Sequence, residues 1–80
     1  MMGGMMGNET DMAALENAKD FDAEFIRQMI PHHQMAVMMA QMVAVTSSRD
    51  EIKNLAQNII QSQTNEINQM REWYRSWSTP

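Results

Sequence analysis

The sequence predicts an all-α chain, an antiparallel helical hairpin that assembles into a four-helix bundle as a homodimer. Three observations predict it. Ile52, Ala56, Ile59, Gln63, Glu66, Met70, Trp73 and Trp77 recur at alternating spacings of four and three, which is a heptad seam. Upstream, Phe25, Met29, His33, Ala36, Ala40, Val43 and Ala44 share a stripe roughly 100° wide, the expected core face of a second helix. Between the two, Thr46-Ser47-Ser48-Arg49 reads as a turn, short enough to set the helices antiparallel. Two helices alone bury little, and faces this wide call for another pair, hence the dimer.

Taken in order, residues 1–9 are rich in Gly and Met and have no periodicity; they predict a mobile arm. Residues 10–19 predict a short helical turn capped by Thr10. The chain thus divides into a Met-rich, acidic arm over 1–19 and a helical hairpin domain over 20–78. Asp20 caps the first long helix, which runs to about Val45, and Asp22 and Glu24 suit the positive end of its dipole. Pro31 lies inside it, lacks an N–H and crowds the carbonyl of Arg27, so a kink or a break is expected there. Ser48 with Glu51 has the spacing of a capping box and starts the second helix. That helix runs to about Trp77, with Arg71 and Arg75 near its negative end. Leu55, Ile60, Ile67 and Tyr74 widen its seam.

Eighty residues make one small domain, in which only roughly 60% of the unfolded surface is hidden. The absence of cysteine excludes disulfides, thiolate zinc sites and iron–sulfur clusters. A net charge of −4 argues against nucleic acid and anionic membranes as partners. Acidic residues concentrate early, with six in residues 1–24 against Lys19 alone. No apolar run approaches the roughly 18 residues of a membrane span, so no membrane insertion is expected. The stretch Met1-Met2-Gly3-Gly4-Met5-Met6 lacks the basic start and long apolar run of a signal peptide. The outlier is methionine, at eleven of eighty residues, in a role that bundle cores ordinarily fill with leucine.

A turn near 46–49 sets Met29, His32 and His33 opposite Gln63 and Glu66, the two polar residues of the seam. Polar groups at core positions are costly unless paired. A hydrogen bond or ion pair from Glu66 to His32 or His33 is therefore expected. The functional reading of the same pair is that Gln63 and Glu66 orient a metal-ligating imidazole.

Beside the core face, His32, Met35, Met39 and Met42 stack along one strip, with Met38 at its flank. The plain reading of this strip is dimer-interface core. Leucine, however, would pack with better-defined rotamers and equal helix propensity. The strip also begins at a histidine and coexists with a second methionine cluster in the arm, Met2, Met5, Met6 and Met12. Thioethers are soft and uncharged, so they bind Cu(I) or Ag(I) and serve Zn(II), Mg(II) or Fe(II) poorly, while imidazole accepts Cu(I) and Cu(II) alike. The arm reads as a weaker site, because ordering it costs entropy. Trp73 and Trp77 are expected near the start of the first helix, where their faces could meet a cation held by the arm. No Glu-x-x-His occurs for a di-iron centre, no Gly-rich phosphate loop is present, and no serine has a histidine beside it in sequence. An enzyme is not expected.

The stretch from Phe21 to Ala40, centred on Met29-Ile30-Pro31-His32-His33-Gln34, closely resembles the domain-of-unknown-function 305 family. Leu55-Ala56-Gln57-Asn58-Ile59-Ile60, Gln63, Glu66-Ile67 and Met70-Arg71-Glu72-Trp73 resemble its second helix. The resemblance implies a ferritin-like helical bundle, often exported to the periplasm or cell surface, with some members, those of the CopM type, binding copper and taking part in copper resistance. It supports Met29, His32, His33, Met39, Gln63, Glu66 and Met70 as recurrent polar or sulfur positions. Met35, Met38 and Met42 depart from the family pattern and add soft ligands.

The expected function is copper binding, as Cu(I) and also Cu(II) or Ag(I), for sequestration, resistance or transfer, with a copper donor or acceptor protein as a further partner. The alternative is a structural or partner-binding helical module whose methionines form an adaptable apolar surface.

Overall fold

The computed structural model describes residues 10–78. Three helices follow in order: α1 (Met12–Glu16), α2 (Phe21–Thr46) and α3 (Asp50–Ser78). Among the described residues the chain is all-helical, as predicted.

Local chemistry sets the helix ends. Asp11, not Thr10, caps α1, its Oδ1 accepting the Ala14 N–H at 2.9 Å. Asp20 caps α2 in the same way, through the Ala23 N–H at 3.1 Å, with Asp22 and Glu24 in the first turn. The helix runs unbroken through Pro31. Packing against α3 on both sides of the proline, at buried Ile26 and Ala40, offsets the missing hydrogen bond, and the expected break does not occur. At the far end Ser47 turns extended, and its N–H donates to the Val43 carbonyl at 2.9 Å. The connection is Ser47-Ser48-Arg49, one residue shorter than expected. The capping box does not form: no hydrogen bond joins Ser48 to Glu51 among the described residues. Instead Ser47 Oγ accepts the Arg49 N–H at 3.2 Å, and the Arg49 carbonyl accepts from Ile52 and Lys53.

The helices of the hairpin meet through five buried apolar residues, Ile26, Ala40, Ala56, Ile67 and Met70. Ala40 and Ala56 are small enough to let the two backbones approach. Ala40, Ala56 and Met70 lie on the predicted stripes, and Ile67 on the predicted flank. Ile26 was not anticipated, because the stripe drawn through Phe25 is centred too far round α2. Phe25, expected in the core, is 47% exposed, and Leu55, Trp73 and Trp77 are similarly open. The molecule measures 47 × 34 × 14 Å. A helix with its side chains is about 10–12 Å across, so the hairpin is a slab one helix layer thick, and among the described residues nothing covers its broad apolar face. No helix among the described residues is long and apolar enough to cross a membrane.

Candidate metal centre

His33 projects from α2 toward α3. Its Nε2 lies 2.7 Å from Glu66 Oε1, and its Nδ1 lies 3.1 Å from the Met29 carbonyl. The predicted histidine–glutamate pair is thus present, and His33 is the histidine that makes it. The imidazole is largely enclosed, with 14% of its side chain exposed, whereas Glu66 is 59% exposed. The carboxylate can therefore swing away toward water at little cost, but the ring stays where α2 and α3 hold it. Gln63 is half-buried on the same seam, and no hydrogen bond joins it to either histidine.

The pair sits in a groove of 510 Å³ between the open ends of α2 and α3, lined by Asp22, Phe25, His33, Glu66, Met70 and Trp73, among others. Trp73 and Trp77 stack with ring centroids 6.2 Å apart and planes 3° from parallel. Both tryptophans lie beside the start of α2, as expected from an antiparallel hairpin. The groove gathers His33, Met70 and two indole faces, with Met29 one turn away on α2 and half-buried.

His32 is turned about 100° from His33 around the helix and meets different company. Its Nε2 is 3.2 Å from Thr10 Oγ1. The two histidines, adjacent in sequence, do not converge on one point. From His32 the strip continues through half-buried Met35 to Met39 and Met42, which are 59% and 66% exposed, with Met38 beside them at 61%. Within one chain the strip is not core. Met39 also edges a second, shallower groove of 290 Å³ near the turn, with Ile52 and Leu55. Met12 stands exposed on α1. Met2, Met5 and Met6 lie outside the described residues.

Gln28 is the residue that sequence reasoning missed. It is buried, accepts the Asp11 N–H at 2.7 Å, and donates to the Asp11 carbonyl at 3.0 Å and to Glu24 Oε2 at 2.7 Å. Glu24 is also gripped by Arg27 through two hydrogen bonds of 2.8 and 2.6 Å. The guanidinium, then the Gln28 amide, hold the Glu24 carboxyl down at about 2. The one available signal was that Gln28 lies four residues before His32 on the strip's own row.

Chemically, the donors divide by type. Among the described residues no three His, Cys, Asp or Glu side chains are placed to hold one ion. The other donor types on the two faces of α2 are thioethers and one imidazole each, of a kind suited to soft, low-charge cations.

Several known proteins are similar to this chain. A viral protein, uncharacterized protein L153 of Acanthamoeba polyphaga mimivirus, is 45% identical over 49 residues, covering 61% of this chain and 32% of its own. Solved structures of CopM are similar over most of the chain. The Cu(I)-bound form is 52% identical at a TM-score of 0.83, covering 89% of this chain and 51% of that one. The Cu(II)-bound form is 51% identical at 0.87, covering 96% and 52%. A silver-bound form obtained by co-crystallization is 52% identical at 0.85, covering 89% and 52%. The chain spans about half the length of these CopM chains. The model of the domain of unknown function DUF305 matches residues 1–74, and the chain belongs to that family.

Proposed function

We propose that this chain binds copper, Cu(I) foremost, through methionine thioethers assisted by histidine, and that it sequesters or transfers the metal rather than catalysing a reaction. The observation that carries the reading is the exposure of Met38, Met39 and Met42 on one face of α2. Large apolar side chains gain from burial, and three thioethers standing in water on one helix are better accounted for as ligands than as packing. The Cu(I), Cu(II) and Ag forms of CopM, a relative just over half identical, support the same metal class.

Two kinds of site follow from the geometry. On the strip, neighbours three or four residues apart have Cβ atoms roughly 5–6 Å apart, so adjacent thioethers can share an ion. His32 and Met42 are ten residues apart, about 15 Å along the helix, and cannot. In the groove, a cation taking His33 Nε2 displaces the exposed Glu66 carboxylate and finds Met70 and the Trp73 and Trp77 faces nearby. The Met29 carbonyl, at Nδ1, then orients the ring, and Glu66 is released to water. Thioethers that fill the coordination sphere of Cu(I) leave no open position for a substrate, hence a carrier rather than an enzyme.

A second copy of the chain completes a four-helix bundle of the ferritin-like type by covering the open apolar face of the slab. The family resemblance supports a periplasmic or extracellular setting, with a copper donor or acceptor protein as partner.

The test is anaerobic titration with Cu(I) against a competing chelator, on the unmodified chain and on a variant with Met35, Met39 and Met42 all changed to Leu. Leucine preserves volume and helix propensity while removing sulfur. The variant is expected to stay folded and to lose at least tenfold in Cu(I) affinity, about 1.4 kcal/mol. Unchanged affinity would place copper elsewhere. No binding by the unmodified chain would favour the other reading of an exposed methionine surface, a docking face for a partner protein.

A further inference from the structure

The two histidines of α2 differ in what their ring nitrogens have left to give. His33 has both engaged, Nδ1 against the Met29 carbonyl and Nε2 against Glu66, so a cation reaches it by breaking a contact. His32 has one engaged, Nε2 at 3.2 Å from Thr10 Oγ1. Among the described residues its Nδ1 has no hydrogen-bond partner. His32 can therefore offer a nitrogen to a ligand and keep its contact.

Thr10 is held where it stands. Gln28, the one buried polar side chain among the described residues, accepts the Asp11 N–H at 2.7 Å and donates to the Asp11 carbonyl at 3.0 Å. Taking both backbone groups of one residue fixes the direction of the chain as well as its position, as a neighbouring strand does in a sheet. The element that follows, α1, is five residues long with none buried, so its own packing contributes little. What the clamp does fix is the step from Asp11 to Thr10. In that step the chain passes from Gln28 to His32, one turn along α2, and sets the Thr10 hydroxyl against the tip of the ring.

The hydroxyl bears on which nitrogen is bare. A neutral imidazole carries its proton on one nitrogen and presents a lone pair at the other. With Nε2–H donating to Thr10 Oγ1, the lone pair stands at Nδ1. Metal-ligating imidazoles ordinarily donate their other N–H in this way, which fixes the ring and makes it a more basic ligand. Met35 follows three residues on and is half-buried. Side chains on a helix lean toward its N-terminus, so the Met35 thioether leans back toward His32, with Cβ atoms roughly 5–6 Å apart.

We propose that Thr10 is a positioning residue for copper. Held by the Gln28 clamp, its hydroxyl takes the Nε2–H of His32 and commits Nδ1, beside Met35, to the ion. The proposal rests on the copper reading above and names the donor nitrogen at the head of the methionine strip. An ion entering there displaces no protein group, whereas one entering at His33 must displace Glu66.

The experiment uses the full chain and three variants. Thr10→Val removes the hydroxyl and keeps the volume, Thr10→Ser restores the hydroxyl, and Gln28→Leu releases the clamp. Proton–nitrogen NMR correlations of the imidazole rings read which nitrogen of His32 takes Cu(I). The same signals, followed under anaerobic competition with a chelator, give the affinity at that ring, and circular dichroism reads helicity. In the unmodified chain Cu(I) is expected on Nδ1, with Nε2 protonated. In Thr10→Val the ring is free to turn, so the ion should move to Nε2 and affinity fall about tenfold, the low end for losing such a partner, with helicity kept. Thr10→Ser should return the ion to Nδ1. Gln28→Leu should act as Thr10→Val does, and the two together should lose no more than Thr10→Val alone. Cu(I) on Nε2 in the unmodified chain overturns the proposal. A donor nitrogen unchanged in Thr10→Val overturns it as well, whatever the affinity does, since the hydroxyl then does not choose it. If the unmodified chain binds no Cu(I), the copper reading fails first and this one with it.

Discussion

The groove side of α2 and its methionine side carry similar donors in opposite surroundings. On the groove side, His33 is enclosed between two acceptors, Met70 is buried across from it, and Ile26 and Ala40 pack the helix onto α3. On the methionine side, His32 meets a single hydroxyl, and Met38, Met39 and Met42 face solvent. The difference teaches that residue type does not assign a role on this helix. A methionine at position 70 holds the hairpin together. One at position 42, with the same side chain, is 66% exposed.

Mutations that act on one side alone break that comparison most sharply. Ile67→Ala removes a buried side chain and should cost about 2–4 kcal/mol of stability by urea denaturation, while Met42→Ala on the exposed side should stay within about 0.5 kcal/mol. Comparable losses from both would mean that the methionine strip is covered in solution.

Association sharpens the same contrast. The open apolar face, with Leu55 and Trp73 about half exposed, is where a second copy should sit. Sedimentation should show a homodimer across micromolar concentrations, lost on Leu55→Asp and kept in the triple Met→Leu variant of the strip. A compact monomer at all concentrations would show that the hairpin leaves this face open.

The smallest effect concerns pH, at the hinge between the two sides. Glu24, held at about 2 against an ordinary 4.5, links Arg27 and Gln28. Because the folded value is depressed, its contribution is complete above about 4.5 and is lost as pH falls through about 2. Between those values the Asp11 amide should lose its protected NMR signature while α2 and α3 remain helical. Loss of both helices together would show that the clamp is not an independent unit.

The hairpin was legible because its causes are local. The period of the α3 seam, aspartates before helical runs and the Ser47–Arg49 break can all be read within a few residues, and helices need no distant partner to form hydrogen bonds. The site was legible in part. Symmetry about the turn put Glu66 opposite the histidines and Trp73 and Trp77 near the start of the first helix. It could not choose between His32 and His33, roughly 100° apart around the helix, because a modest error in placing the helix's axis of contact by pattern alone favours one neighbour over the other. The same error displaced the core stripe onto Phe25 and away from Ile26.

The sequence by itself determined the two long helices, their antiparallel order and the soft character of the donors, since periodicity, capping and sulfur content belong to the chain whatever it packs against. The tertiary structure alone decided that His33 is fixed against Glu66, that the methionine strip stands outside the hairpin core, and that Gln28 grips Asp11. The physical reason is that each of these turns on which atoms meet across many residues of chain. A backbone N–H and carbonyl look alike at every position, so their claim on Gln28 has no signature in the sequence until the fold brings them together.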